Sequence, residues 1–357
     1  MMNIERRMAA FTQLGASISM LLEDHKPHPD QYGEQIGAFK EKLKLAEQQN
    51  AWFIPEFINK ALEGIAMLLE PDSINAWIEK YPPGFGDGSL RVAVVMAGNV
   101  PAVGFHDFLT VLMAGHSIQA KLSSDDNVII PALAELLTGI EPGFRERIAF
   151  TDEKIHDFDA VIATGSNNTA RYFNYYFGKY PHIIRKNRNA VAVIKSDEKP
   201  ESLRRLADDI FLYFGLGCRN VSKIYVPEDM DISSFLDYFE HYSWIADQSK
   251  YRNNYDYNKS LYLVNGDHHY DNGFLLVKES EAFASPVSVL HYERYDDPQQ
   301  LVLNLQRSMD QIQCIISEDK THFPEGILPG QAQYPELWDY ADGVDTMEFL
   351  LTLLKDH

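Results

Sequence analysis

Apolar residues recur at helical spacing through the first quarter of the chain. Met8, Phe11, Leu14, Ile18 and Leu21 form one stripe; Ile36, Phe39, Leu43 and Ala46 a second; Phe57, Ile58, Leu62, Ile65 and Leu68 a third. Steps of three and four residues put one face of a helix toward a core, so the pattern predicts a helical N-terminal layer. It breaks at residues 81–89, YPPGFGDGS, where turn formers crowd together. Runs of strand type follow, RVAVVM, SIQAKL, RIAF, DAVIAT and AVAVIK, separated by helical segments such as 105–114 and 128–137. Continuous apolar strands linked by helices indicate a parallel sheet covered on both faces. A second series, SKIYVP, SLYLVN, GFLLVKE, VSVLHYE and QCIISED, with helical stretches near 202–214 and 298–309, predicts another α/β unit. The turn SDEKP divides the two. The expected organisation is therefore residues 1–195 as helical layer plus first α/β domain, residues 196–324 as a second, and residues 325–357 returning to the first.

Length and composition fit this picture. A chain of 357 residues with 45% hydrophobic positions is too apolar to be disordered and long enough for two cores. No apolar run approaches the roughly 18 residues of a membrane span, and the start, MMNIERRMAAFTQLG, has no leader-like apolar core. With only Cys218 and Cys314, neither a disulfide framework nor a four-ligand zinc pattern is present. A cytoplasmic protein is the expectation.

Charge sharpens the reading. With 52 acidic against 32 basic residues the net charge is −20, which disfavours general nucleic-acid binding. Yet residues 160–196 hold no acid and six cations: Arg171, Lys179, Arg185, Lys186, Arg188 and Lys195. A solvated basic face would explain this, as would a site for anionic ligands. The window opens with DAVIATGSNNTARYF, a strand, a Gly-Ser turn and a helix. A helix N-terminus suits phosphate, and Gly165 allows close backbone approach, although Ser166 could equally be a plain cap.

Cys218 stands in FGLGCRNVSKIYVP beside Gly215, Gly217 and Arg219. Glycines permit a tight backbone in which a substrate carbonyl reaches sulfur and a main-chain N–H together, and a nearby cation favours thiolate. An inert core cysteine is the alternative, and it is the expectation for Cys314 in the apolar QCIIS. His268 and His269 in NGDHHYDNG read as a loop rather than a metal site, since HExxH and paired CxxC are absent.

Taken in order, these segments resemble the aldehyde dehydrogenase superfamily, and within it the LuxC-type fatty acyl-CoA reductases, from about residue 91 onward. MAGNVPAVG resembles the family's PWNFP segment, which implies that Asn99 helps form the oxyanion hole. LMAGHSIQAKLSSDD resembles LAAGNTVVLKPSE, placing Lys121 and Ser124 at the adenosine ribose. TGSNNTAR resembles FTGSTEVGR, so Thr164, Gly165 and Ser166 would face the cofactor, and FGLGCRNV resembles the GQxC segment, making Cys218 the nucleophile. EAFASPVSVL is similar to EIFGPVLPV with one extra residue and puts Glu281 at the nicotinamide ribose. The closing ILPGQAQYPELWDYADGVDT has a LuxC-like cast without an assigned role.

The resemblance implies an aldehyde dehydrogenase-like α/β fold of two doubly wound domains with an N-terminal helical layer, the first binding a nicotinamide cofactor and the second carrying the cysteine. It implies reduction of an acyl-CoA thioester to an aldehyde with NADPH or NADH. NADPH is favoured because Ser124 holds the place of a ribose-clasping glutamate, although Asp125 and Asp126 argue for NADH if the register slips by one. One departure bears on mechanism. The ELGGKSP segment, whose glutamate activates water in aldehyde-oxidising members, lines up with IRKNRNA, so Arg185 occupies that place and hydrolysis of an acyl-enzyme would lack its base. Arg171, Arg185 and Arg188 are expected to supply electrostatics for substrate or phosphate. An acyl-phosphate reductase of the same fold, a non-catalytic nucleotide-binding scaffold and an acidic interaction module remain as rivals. Acyl chain length and any homo-oligomeric state are left open.

Overall fold

The computed structural model describes residues 2–23, 33–83, 85 and 90–353; most of the glycine-rich part of the 81–89 turn lies outside the described residues. The chain divides into two compact units, Met1–Lys186 with Glu336–His357, and Asn187–Pro335.

The first unit begins with four helices, α1 (Ile4–Leu22), α2 (Gly33–Gln49), α3 (Pro55–Leu68) and α4 (Pro71–Ile78). The stripes read from sequence face inward: Phe11, Leu14 and Ile18 on α1 are inaccessible to solvent, as is Trp77 on α4, a helix too short to show a clear period. Then follow β1 (Arg91–Val95), α5 (Phe105–Met113), β2 (Ser117–Lys121), α6 (Ile129–Ile140), β3 (Ile148–Thr151), β4 (Ala160–Thr164), α7 (Asn167–Phe177) and β5 (His182–Arg185). The five strands form one parallel sheet in the order β3-β2-β1-β4-β5. Strand order reverses between β1 and β4, and beyond the carboxyl ends of strands flanking such a reversal an α/β sheet opens a crevice.

The second unit runs β6 (Asn189–Val193), α8 (Pro200–Phe211), β7 (Val221–Pro227), α9 (Ile232–Leu236), α10 (Ser249–Asn265), β8 (Tyr270–Asp271), β9 (Leu276–Glu279), β10 (Val289–Tyr295), α11 (Pro298–Gln306) and β11 (Ile312–Ile316). Its sheet order is β11-β6-β7-β10-β9-β8, parallel except for β8 against β9. The final helix α12 (Thr346–Thr352) belongs to the first unit.

Three expectations are corrected. AVAVIK does not close the first sheet: β6 pairs with β7 and β11, so the division falls after Lys186 rather than after 195. The edge place beside β4 is taken by β5, which sequence reasoning missed because its two isoleucines are flanked by His182 and Arg185. SLYLVN is the end of α10 rather than a strand; Tyr251, Tyr255, Asn258 and Tyr262 are buried at helical spacing, while Leu263 and Val264 face outward. A short apolar run carries no period of its own, and the tyrosine stripe decided it.

The return of the chain to the first unit starts at Glu336, not at 325. It is fixed by buried polar contacts. Trp77 Nε1 donates to the Tyr340 hydroxyl at 2.7 Å, and the Tyr81 hydroxyl donates to Asp345 at 2.9 Å. His106 Nε2 and His116 Nε2 reach the carbonyls of Leu337 and Leu350. Burial pushes the Tyr81 hydroxyl up to about 12 and holds both histidines below their usual range.

Candidate active site

In the first unit, the loop of residues 96–102 leaves β1 and the segment of residues 164–166 leaves β4, so both flank the crevice. Asn99 is exposed at the tip of the first loop. Its backbone is anchored on both sides. A Cβ on Gly98 would lie 2.6 Å from the Ser123 Cβ and 2.9 Å from the Asp126 amide nitrogen, so only glycine lets the two loops touch. Asp126 is buried and accepts from the Ala102 N–H at 2.8 Å and the Ile129 N–H at 3.2 Å. Desolvation raises its carboxyl above the usual range. Asp126 thus clamps the Asn99 loop, with one carboxylate oxygen on each N–H, and is not placed as a ribose ligand.

Lys121 ends β2, and its Nζ donates to the backbone carbonyls of Asp152 (3.1 Å) and Glu153 (2.9 Å), tying the end of β2 to the turn after β3. Ser124 is exposed in the tight turn closed by the Ser123–Asp126 bridge. Thr164 is the last residue of β4 and pairs with Arg185. Gly165 is closely packed: a Cβ there would meet the side chains of Thr169 and Phe173 at 3.0 Å, and they would have to give way by a few tenths of an ångström. Ser166 is the N-cap of α7, its Oγ accepting from the Thr169 N–H at 3.2 Å. First-turn N–H groups of a helix have no intrahelical acceptors, so the capped end still offers donors to an anion.

The cations of the basic window are divided between the two units and differ in burial. Arg171 is exposed on α7, where it lines a shallow depression of about 590 Å³ with Asn168, Tyr172, Tyr175 and Tyr176. Lys179 follows the opposite end of that helix and lies 5.1 Å from the centre of the Tyr180 ring. Arg185, expected to face a ligand, is only 5% accessible; its guanidinium donates to Asp107 at 2.6 Å and to the Thr346 hydroxyl at 2.8 Å. Arg188 lies in the second unit and donates to the Met309 carbonyl at 3.1 Å, between α11 and β11, and Lys195 pairs with Asp197 at 3.4 Å. Within the first unit, then, Arg171 is exposed on α7 while Arg185 is buried in an ion pair.

The second unit presents Cys218. Helix α8 ends at Phe211, and the chain reverses through three successive left-handed residues, Tyr213 (φ 55°), Phe214 (φ 57°) and Gly215 (φ 73°). Two of the three carry side chains, at about 1–2 kcal/mol each, a strain of the kind found at functional sites. Burial of both rings, with Phe214 against Tyr251 at 5.9 Å, helps hold them there. Residues 217–220 then form a doubly closed turn: the Asn220 N–H donates to the Gly217 carbonyl at 3.0 Å, and Asn220 Oδ1 accepts from the Gly217 N–H at 2.8 Å. Cys218 occupies the first central position, its side chain exposed. Asn220 Nδ2 also caps the end of α8 by donating to the carbonyls of Asp209 and Leu212.

Glu281 is exposed on residues 280–288, which join β9 to β10. Because those strands are parallel neighbours, the connection must run back over the sheet rather than through a hairpin. Three side chains beneath it hold three successive carbonyls: Lys223 Nζ donates to Glu281 O at 2.8 Å, His291 Nδ1 to Ala282 O at 3.0 Å and Ser222 Oγ to Phe283 O at 2.7 Å. Lys223 is buried and completes its bonding with Glu293 at 2.6 Å, and burial keeps His291 below its usual range. Sequence reasoning passed over these residues. The available signal was a lysine inside VSKIYV and a histidine inside VSVLHY, polar groups in otherwise apolar strands. Among the described residues no cluster of metal-ligating side chains occurs, and His268 packs on Tyr270 at 5.2 Å.

The fold is that of aldehyde dehydrogenases. Aldehyde dehydrogenase 21 of Physcomitrella patens, solved with the reaction product succinate, superposes with a TM-score of 0.63 at 13% identity, covering 98% of this chain and 88% of that one. A salicylaldehyde dehydrogenase from Pseudomonas putida G7, complexed with salicylaldehyde, gives 0.60 at 8% identity over 90% and 75% of the two chains. An aldehyde dehydrogenase from Bacillus cereus in complex with NAD+ gives 0.55 at 14% identity over 83% and 69%. No curated protein matches the sequence. The profile of the acyl-CoA reductase (LuxC) family matches residues 23–237, a span that carries Asn99, Lys121, Ser124, Gly165, Ser166 and Cys218 but not Glu281. With more than half of its length inside that match, the chain belongs to the LuxC family of acyl-CoA reductases.

Proposed function

We propose that the protein reduces an acyl-CoA thioester to the aldehyde through an acyl-enzyme on Cys218. The observation that carries this reading is the presentation of Cys218: an exposed thiol at the head of a turn closed from both ends, held on a strained reversal at the end of α8. The thiolate sulfur attacks the thioester carbonyl, and the backbone N–H of Cys218 receives the oxyanion, with the Asn99 amide as the second donor that the family likeness implies; each such donor contributes about 3 kcal/mol in related chemistry. Collapse expels the CoA thiolate, which needs no strong acid. Glutamate is replaced by Arg185 at the place of the water-activating base, and Arg185 is committed to Asp107, so the acyl-enzyme persists for reduction rather than hydrolysis.

The residues present fit a nicotinamide dinucleotide. The sheet reversal, the close backbone at Gly165 and the capped start of α7 suit a pyrophosphate, Lys121 and Ser124 lie at the end of β2 for the adenosine ribose, and Glu281 would meet the nicotinamide ribose. When bound in reduced form, the cofactor supplies a hydride to the acyl carbon. The alkoxide so formed is held by the same donors until it expels the Cys218 thiolate and releases aldehyde. NADPH is the preferred form in this reading, because Asp126 is occupied by two backbone N–H groups and Ser124 offers no carboxylate to the ribose.

Intact mass after incubation with a chain-length series of acyl-CoAs, in wild type and Cys218→Ala, tests the proposal. A gain of one acyl group that vanishes in the variant is expected. Equal acylation of both proteins refutes the nucleophile, and acylation by acyl phosphates alone refutes the substrate. Comparing initial rates with NADPH and NADH decides the cofactor.

A further inference from the structure

We infer that Asp209 is a positioning residue for Cys218, acting through the backbone of residues 330–332. This rests on the reading of Cys218 as nucleophile. Asp209 lies in the last turn of α8 on the same buried face as Leu206 and Ile210, and it is inaccessible to solvent. Its two carboxylate oxygens accept from the Gly330 N–H at 2.6 Å and the Ala332 N–H at 2.9 Å. Arg219, the neighbour of Cys218, donates through Nε to the Ala332 carbonyl at 2.6 Å. Asn220 completes the ring by donating to the Asp209 carbonyl at 3.1 Å while closing the Cys218 turn through Gly217. The turn bearing Cys218 is thus bonded at Arg219 to a strap and at Asn220 to a helix end, and Asp209 joins strap to helix end.

Gly330 shows that the strap has no slack. Its φ is +83°, and a Cβ would come within 2.9 Å of the Arg205 Cβ on α8. This assigns a role to PGQAQ within the closing ILPGQAQYPELWDYADGVDT segment, whose first nine residues belong to the second unit. A neutral side chain offering a single carbonyl could hold one of the two N–H groups; holding both with acceptor oxygens requires the carboxylate, despite the cost of burying it.

That cost makes the latch responsive to pH. Desolvation raises the Asp209 carboxyl to about 7, with Asp208 adding to the rise and Arg219 and the two N–H bonds opposing it. The other ionisable groups around it are Arg205 on α8, which donates to the Pro329 carbonyl, and Tyr242 from residues 237–247, which donates to Asp208 at 2.6 Å. Protonation puts an O–H against an N–H and releases one strap bond. The latch is closed when Asp209 is charged and loosens as pH falls through its titration.

The test is the rate of carbamidomethylation of Cys218 by iodoacetamide, read on the Cys218 peptide from pH 5.5 to 9, in wild type, Asp209→Asn and Gly330→Ala. Wild type should show a step near neutrality besides the ionisation of the thiol. Asp209→Asn should lack that step and differ from wild type at least threefold at pH 8, with faster amide exchange in residues 217–220 and 330–332. Gly330→Ala, which leaves the carboxyl in place, should loosen the same two segments and decides the matter if Asp209→Asn does not fold. A wild-type profile with one step, or variant profiles superimposable on wild type, overturns the inference. Persistence of acylation in Cys218→Ala would overturn the nucleophile instead, and the alkylation profiles do not depend on that result.

Discussion

Replacing Asp107 by alanine should remove the counter-charge from a guanidinium that is almost wholly buried. Arg185 and Asp107 are 5% and 7% accessible, their contact is 2.6 Å, and the second guanidinium bond goes to Thr346 on α12. Breaking a buried pair from one side costs about 3–5 kcal/mol, because the remaining ion keeps its desolvation penalty without the compensating attraction. At the size of the first unit, roughly 200 residues, each kcal/mol moves the melting temperature by about 2–4 °C, so a fall of about 6–20 °C is expected. The double variant Asp107→Leu/Arg185→Met removes both charges and should recover most of the loss. Differential scanning calorimetry that resolves the two units is the assay, and the transition of the second unit should not move. A fall below about 2 °C for Asp107→Ala, or a double variant no better than the single, would refute the assignment of Arg185 to the core and reopen its role at a ligand.

Three further outcomes follow from the geometry. Gly98→Ala should cost about 1–3 kcal/mol by overpacking against Ser123 and the Asp126 backbone and should lower kcat through displacement of Asn99; Ser123→Gly, which relieves the side-chain part of the clash, should restore part of both in thermal melts and steady-state rates. Lys223→Met should release the Glu281 carbonyl, raising KM for the nicotinamide cofactor severalfold while single-turnover acylation of Cys218 is unchanged; stability should shift little, since Met fills the stem and Glu293 is part exposed. His116 is held neutral by burial, so the unfolded chain takes up its proton first on acidification. Stability from this group is therefore present above about pH 6.5 and is lost below it, by up to about 1.4 kcal/mol per pH unit, and denaturation of wild type against His116→Gln between pH 7 and 5 should show the difference. The raised carboxyl of Asp126 acts with the opposite sign and is common to both proteins, so it cancels in that comparison.

What could be read from the sequence was local. The helical stripes of α1 to α3 and the strands β1, β2, β4 and β7 carry their period or their continuous apolar run within a few residues, and the glycines at 98 and 165 lie inside short segments with family likeness. What could not be read depends on distant partners. Asp209 meets residues 330 and 332, Arg185 meets Asp107 and Thr346, and Lys223 meets Glu281 and Glu293. A charged residue has no visible reason to sit in an apolar element until its partner is located. The basic window was misleading at Arg185 for the same reason, because its charge is taken up by Asp107, a partner on α5 far from it in sequence.

Placing residues 187–335 between two parts of the first unit has a consequence for the order of assembly. During synthesis the second unit, with the cysteine turn and its strap, is complete before residues 336–352 emerge. Until they do, Arg185 lacks Thr346, Trp77 lacks Tyr340, and His116 lacks the Leu350 carbonyl. Domains form as units in the order they leave the ribosome, so here the unit begun first is the one finished last, although all five of its strands precede the second unit. A nascent chain stalled before Glu336 would hold an ordered Cys218 turn while the first unit still lacked α12 and the partners of Trp77, His116 and Arg185, leaving that part of its core open to holdases and proteases.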